Sequence, residues 1–171
     1  KLTFTIPKYV GQIPIFYNRK PLRGLYDRCG SEEKAGQDYV FGDKNPLFNF
    51  GDGLSYTTFE YKNLKVKKDK DRFLVTVEVK NTGNYDADES VLLYTRNLSN
   101  YLVCPNVKKL RSFKRITLKK SETKTVNFEL TKEDFSYIGY DMKPTYPVGN
   151  VKVIIKDLEV IFDLYTGKIN G

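Results

Sequence analysis

Phe48-Asn49-Phe50-Gly51-Asp52-Gly53-Leu54-Ser55-Tyr56-Thr57-Thr58-Phe59 separates two unlike parts of this chain. Gly51 and Gly53 flank Asp52, a composition that favours a tight turn with positive φ. From Ser55 onward Thr, Tyr and Phe favour an extended strand. The stretch therefore reads as a turn feeding a β-strand.

Downstream of it the hydrophobic period is two. Phe73, Val75, Val77 and Val79 alternate with Leu74, Thr76, Glu78 and Lys80, and Asn81-Thr82-Gly83-Asn84 ends the run. Val91-Leu92-Leu93-Tyr94 is apolar on both faces, which fits a central strand. Leu110 to Leu118 is another strand, whose apolar phase slips between Phe113 and Ile116 and so predicts a bulge there. Val126, Phe128 and Leu130 alternate with polar residues, and Thr131-Lys132-Glu133-Asp134 predicts a single capped helical turn. Val151, Val153 and Ile155 pass through a tight Lys156-Asp157 connection to Leu158, Val160, Phe162 and Leu164. Seven strands follow, near 58–67, 72–80, 87–97, 108–118, 122–130, 148–156 and 158–165. Short strands with turn signals between them predict a two-sheet antiparallel sandwich.

Upstream the chain is irregular: residues 1–53 hold 7 of the 12 Gly and 4 of the 7 Pro. Pro7 and Pro14 interrupt two short extended runs in residues 1–17. Residues 18–47 read as a long loop, with one or two helical turns at most near Ser31–Ala35. The expected domains are therefore 1–55 and 56–171.

Composition narrows the function. The chain has 171 residues with 40% hydrophobic content, enough for a packed core. It has no His, which removes imidazole bases, Ser-His-Asp triads and the commonest metal ligand. No apolar run reaches the length of a membrane span, so no membrane partner is expected. The net charge of +8 raises nucleic acid as a partner, but no recognition motif accompanies it and a Lys-rich solvated surface is favoured. Cys29 and Cys104 cannot form a zinc site alone; two thiols are favoured over one disulfide.

The quoted stretch resembles the F-G-x-G-L-S-Y-T-T-F segment of family 3 glycoside hydrolases, the β-glucosidase and β-xylosidase family. Asp52 stands where that segment usually has an aromatic, and Asn49 where it usually has Pro. The likeness continues on both sides. Lys1-Leu2-Thr3-Phe4-Thr5-Ile6-Pro7 with Gly11-Gln12-Ile13-Pro14 resembles the end of the family's α/β sandwich domain. Asn81-Thr82-Gly83, Asp88-Glu89-Ser90-Val91, Leu110-Arg111-Ser112-Phe113-Lys114-Arg115 and Pro147-Val148-Gly149 resemble signatures of its fibronectin type III-like domain. The usual L-x-P-G-E turn stands as Leu118-Lys119-Lys120-Ser121-Glu122.

The resemblance implies a mainly β chain. Its seven-stranded fibronectin type III-like (immunoglobulin-like) sandwich would be preceded by an irregular segment left from an α/β domain. It implies a non-catalytic C-terminal structural region of a retaining, exo-acting β-glycosidase, with the rest of the α/β domain and the catalytic barrel before Lys1 as partners and no cofactor. The alternatives are a free-standing interaction or adhesion module and, behind it, a basic nucleic-acid-binding sandwich.

No catalytic, cofactor-binding or metal-binding residue is assigned. A retaining glycosidase needs two carboxyl groups about 5–5.5 Å apart, and the family's pair falls outside this sequence. Asp86, Asp88 and Glu89 form the densest acidic group; solvated acids at a strand entry are favoured over a catalytic role. The basic run Lys108, Lys109, Arg111, Lys114, Arg115, Lys119, Lys120 and Lys124 reads as protection of a sheet edge before it reads as a phosphate-tracking groove. Phe113 and Tyr101 are possible sugar platforms, though an interior position is favoured for Phe113. Arg28 and Tyr39 are rim candidates in the long loop, though packing of a domain interface is favoured for them, and Asn97-Leu98-Ser99 has the form of a glycosylation sequon. Ile6, Ile13, Ile15, Phe16 and Tyr17 would lack their sheet partners, so self-association or binding of the upstream part is expected there.

Overall fold

The computed structural model describes residues 1–10, 12, 15–20, 45–99 and 103–170. The chain forms two compact units, Lys1–Leu54 and Ser55–Gly171.

In the first unit an extended N-terminal segment runs antiparallel to the quoted stretch. Ile6 bridges Phe48, Leu2 N donates to Asp52 O (2.8 Å) and Gly51 N donates to Leu2 O (2.9 Å). Gly51 sits at φ +87°, a conformation that disfavours any side chain, as the sequence predicts for this turn. Asp52 Oδ2 accepts from Asn49 N at 2.7 Å and closes the turn. Gln12 is buried, accepting from Lys8 N (2.7 Å) and donating to Asn45 O (2.9 Å).

The second unit is an antiparallel sandwich. Its strands are β1 (Phe59–Asp69), β2 (Arg72–Asn81), β3 (Ala87–Asn97), β4 (Lys109–Leu118), β5 (Thr123–Thr131), β6 (Tyr137–Ile138), β7 (Pro144–Thr145), β8 (Asn150–Ile155), β9 (Leu158–Asp163) and β10 (Ile169–Asn170). All seven expected strands are present, with ends within two residues of the prediction. The two-residue β6, β7 and β10 are too short to show a period and were not anticipated.

One sheet has the order β1-β2-β5 and the other β10-β9-β8-β3-β4; β6 and β7 pair as a small hairpin. Between the two large sheets lie Phe73, Val75, Val77, Val79, Phe128 and Leu130 from one side and Val91, Leu93, Val151, Val153, Ile155 and Phe162 from the other. Each set occupies alternate positions, because successive side chains of a strand point to opposite faces. β3 is an interior strand, between β8 and β4, as its two apolar faces indicate.

The predicted helical turn is a 3-10 turn at Lys132–Phe135, and Asp134 Oδ2 accepts from Thr131 N at 2.8 Å. It drives Phe135 fully into the core, edge-on to Phe73 and Phe162 with centroids 5.8 and 5.9 Å away.

The bulge in β4 lies elsewhere than predicted. Leu93 pairs with Ser112 and Tyr94 with Leu110, so the extra residue is Arg111. The apolar spacing between Phe113 and Ile116 has a simpler cause: Phe113 stands on the outer face opposite Leu92, and Ile116 on the inner face opposite Glu89.

Asn81, fully buried, ties the entry to the sandwich together. Its Oδ1 accepts from Thr57 Oγ1 (2.6 Å) and Gly83 N (3.1 Å), and its Nδ2 donates to Tyr85 O (2.7 Å) and Leu118 O (3.2 Å). Any Cβ on Gly83 would collide with Thr57 Oγ1 and come within 2.8 Å of Thr58 N.

Candidate functional site

Asp86, Asp88 and Glu89 do not converge. Asp88 and Glu89 are successive residues of β3 and therefore face opposite sides of the sheet. Asp86 Oδ1 accepts from Lys120 N at 2.7 Å. Asp88 accepts from Thr117 Oγ1 (2.6 Å) and from Arg115 Nε (2.9 Å). Those two bonds, Thr117 first, hold its carboxyl below the usual carboxylate range.

Solvated acids are thus found at Asp86 and Asp88, but Glu89 departs from that expectation: it is buried under the sheet and accepts from Tyr61 OH at 2.7 Å. Burial, then the bond to Glu89 and its charge, push the Tyr61 phenol above its ordinary value. Lys156 Nζ lies 5.0 Å over the Tyr61 ring. Asp88 and Glu89 tie strands together, Asp86 ties the β2–β3 turn to the β4–β5 turn, and no two of them confront one another across a cleft. Among the described residues no group of three or more His, Cys, Asp or Glu could hold a metal ion.

Lys109, Arg111, Lys114 and Arg115 of the basic run lie on β4, an edge strand. Lys114 points inward at that edge, its ammonium 5.6 Å from the Phe128 ring centroid. Arg111 Nε donates to Thr95 Oγ1 at 3.1 Å from the bulge, and Lys108 Nζ caps the Tyr94 ring at 4.6 Å. Lys124 Nζ donates to Thr117 O at 2.7 Å, bridging β5 to β4. On the opposite flank Lys156 Nζ donates to Phe59 O (3.2 Å) and Lys68 Nζ to Tyr165 O. Lysines thereby latch both sides of the sandwich and cap carbonyls a foreign strand would use. The cations serve different faces and line no single groove.

Phe113 is 67% exposed, against the expectation of an interior ring. The register explains it, since odd-numbered residues of β4 beyond the bulge face outward. Around Phe113 the outer face of the five-stranded sheet carries a band that the sequence reading missed. Phe113 lies beside Leu92; Leu110, Tyr94 and Ile154 form the next row; Arg96, Lys152 and Ile161 form the third. Lys152 pairs with Glu159 at 2.7 Å. Arg96 Nε is buried and finds no hydrogen-bond partner among the described residues. The signal was present in Leu92, Tyr94, Ile154 and Ile161, apolar residues at positions where alternation calls for polar ones.

In the first unit Tyr17 stacks on Phe50 with centroids 4.2 Å apart, Ile6 and Ile15 are half-buried and Phe16 is exposed. Ile13, Arg28, Cys29, Tyr39, Tyr101 and the segment Ser31–Ala35 lie outside the described residues. Cys104 is exposed. Within the sequon Asn97 Nδ2 donates to Phe135 O (3.0 Å), and Ser99 Oγ accepts from Asn150 N (2.8 Å).

Residues 89–158 match the family model described as a fibronectin type III-like domain. Over 97% of its length the chain is 40% identical to a β-xylosidase of Formosa agariphila, of which it covers 22%. Among solved structures, a β-glucosidase from Erythrobacter marinus superposes on 93% of the chain with a TM-score of 0.79 and 33% identity, the chain covering 21% of it. A β-glucosidase from Listeria innocua in complex with gluconolactone superposes on 94% of the chain with a TM-score of 0.77 and 26% identity, the chain covering 23% of it. The chain thus spans about a fifth of the length of the relatives it matches.

Proposed function

We propose, from the premise that this chain belongs with the β-glucosidases and β-xylosidases of glycoside hydrolase family 3, that it is the non-catalytic C-terminal region of a retaining, exo-acting β-glycosidase. Residues 1–55 are the tail of an α/β sandwich domain with its junction loop, and residues 56–171 are the fibronectin type III-like domain. The carrying observation is the similarity along nearly the whole chain to enzymes of which it makes up only about a fifth. The engagement of Asp88 and Glu89 in bonds between strands, and of Asp86 in a bond between two turns, supports a structural role.

In this reading the nucleophile and acid come from the barrel and α/β domain of the same polypeptide. This region holds those domains by presenting a rigid surface, and needs no cofactor. The test is hydrolysis of aryl β-glucoside and β-xyloside by the chain alone and by the complete polypeptide. Activity belongs to the complete polypeptide only. Turnover by the chain alone that disappears in Asp86→Asn, Asp88→Asn or Glu89→Gln overturns the reading.

A further inference from the structure

Asn97-Leu98-Ser99 stands outside the proposed function. Asn97 closes β3 and pairs with Val151 of β8. Val91, Leu93 and Thr95 are buried at alternate positions of β3, and the Asn97 side chain follows them inward. There Nδ2 donates to Phe135 O (3.0 Å), at the end of the 3-10 turn that carries the Phe135 ring into the core. A carbonyl at such an end has no partner within its own turn, and leaving it unmet beside a core costs free energy.

Leu98 and Ser99 continue the tie to β8. Leu98 N donates to Asn150 O (3.0 Å), and Ser99 Oγ accepts from Asn150 N (2.8 Å). The serine hydroxyl thus stands in for a backbone acceptor and adds one rung where β3 leaves the sheet. Asn150 begins β8 and lies opposite Asp163 of β9. Three consecutive residues therefore fasten β3, β8 and the 3-10 turn to one another.

The same two side-chain groups are those that glycan transfer requires. Transfer forms a bond from Nδ2 to the anomeric carbon of a lipid-linked oligosaccharide; the lipid pyrophosphate leaves and Nδ2 gives up a proton. The hydroxyl two residues on is the second recognition element of the motif. In the folded chain both groups are engaged, and so is the backbone N–H between them.

We propose that Asn97-Leu98-Ser99 is a clasp of the folded sandwich and takes a glycan only while the chain is unfolded. Each group must give up its partner before a transferase can draw the segment into its cleft, which amounts to opening this end of β3. Glycan transfer and folding then compete for one amide.

The test uses the purified chain, a synthetic peptide of residues 92–104, and a solubilised oligosaccharyltransferase with its lipid-linked donor. Mass spectrometry finds a glycan on the peptide, while the native chain gains one about a hundredfold more slowly. Thermal unfolding reads the clasp. Asn97→Asp, which sets a carboxylate against Phe135 O, and Ser99→Ala each lower the transition by about 3 °C or more. Ser99→Thr keeps the hydroxyl, and its transition stays within about 1 °C of the parent's. Where Asn97→Asp does not fold, Ser99→Ala against Ser99→Thr carries the comparison. A native chain modified as fast as the peptide, with its transition unchanged, overturns the proposal. Unshifted transitions in Asn97→Asp and Ser99→Ala refute the clasp, and an unmodified peptide refutes the acceptor. None of these outcomes bears on the glycosidase reading.

Discussion

Asn81 uses both polar atoms of its side chain, each twice, in a site closed to water. Removing it orphans several buried groups at once, so Asn81→Ala is expected to destabilise the sandwich by about 2–3 kcal/mol, read from the urea midpoint. Gly83→Ala acts on the same knot by collision with Thr57 and Thr58 and is expected to cost at least as much. Titratable residues set the pH limits. Tyr61 has a raised phenol pKa, so above about pH 10 the unfolded chain releases a proton that the folded chain keeps. Stability is thus complete below that pH and falls as pH rises beyond it; Tyr61→Phe flattens this alkaline slope. Asp88, Glu122 and Asp163 behave oppositely. Their folded pKa values are depressed, chiefly by bonds from Thr117, from the Lys119 backbone and from the Thr166 backbone. Their contribution is present above about pH 4 and is lost as pH falls through the depressed values. Urea midpoints measured across pH check both limbs.

Among the elements, the 3-10 turn Lys132–Phe135 exists to deliver one ring. Phe135→Ala empties a fully buried site between Phe73 and Phe162 and is expected to cost about 3–5 kcal/mol, whereas Asp134→Ala, which removes the bond to Thr131 N, costs about 1 kcal/mol. Chemical denaturation of the two variants separates packing from capping. This turn was legible in sequence because a capping box has a fixed spacing, and the core valines were legible because burial on one face imposes alternation. Phe113 was misread for a physical reason: an apolar residue on a strand names no face until register is known, and the Arg111 bulge resets the register. Arg96 was invisible for a related reason, since a donor unmet among the described residues is a property of three-dimensional surroundings. The 137–145 hairpin escaped because two-residue strands have no period.

The whole molecule divides within the quoted stretch, between Leu54 and Ser55. Residues 55–171 carry a closed core and are expected to melt cooperatively when produced alone; residues 1–45, short and rich in Gly and Pro, are expected to show no such transition. Calorimetry on the two pieces checks this. The order of strands in the sheets has a further consequence, because the ribosome delivers them in a different order. The β1-β2-β5 sheet is complete once Thr131 has been made, while β3 gains its neighbour β8 only with Asn150–Ile155. During that interval Val75, Val77 and Val79 await most of the sheet that covers them. A nascent chain whose β8 and β9 have not yet left the exit tunnel presents a sticky valine face to any chaperone there, and one released with both strands has hidden it.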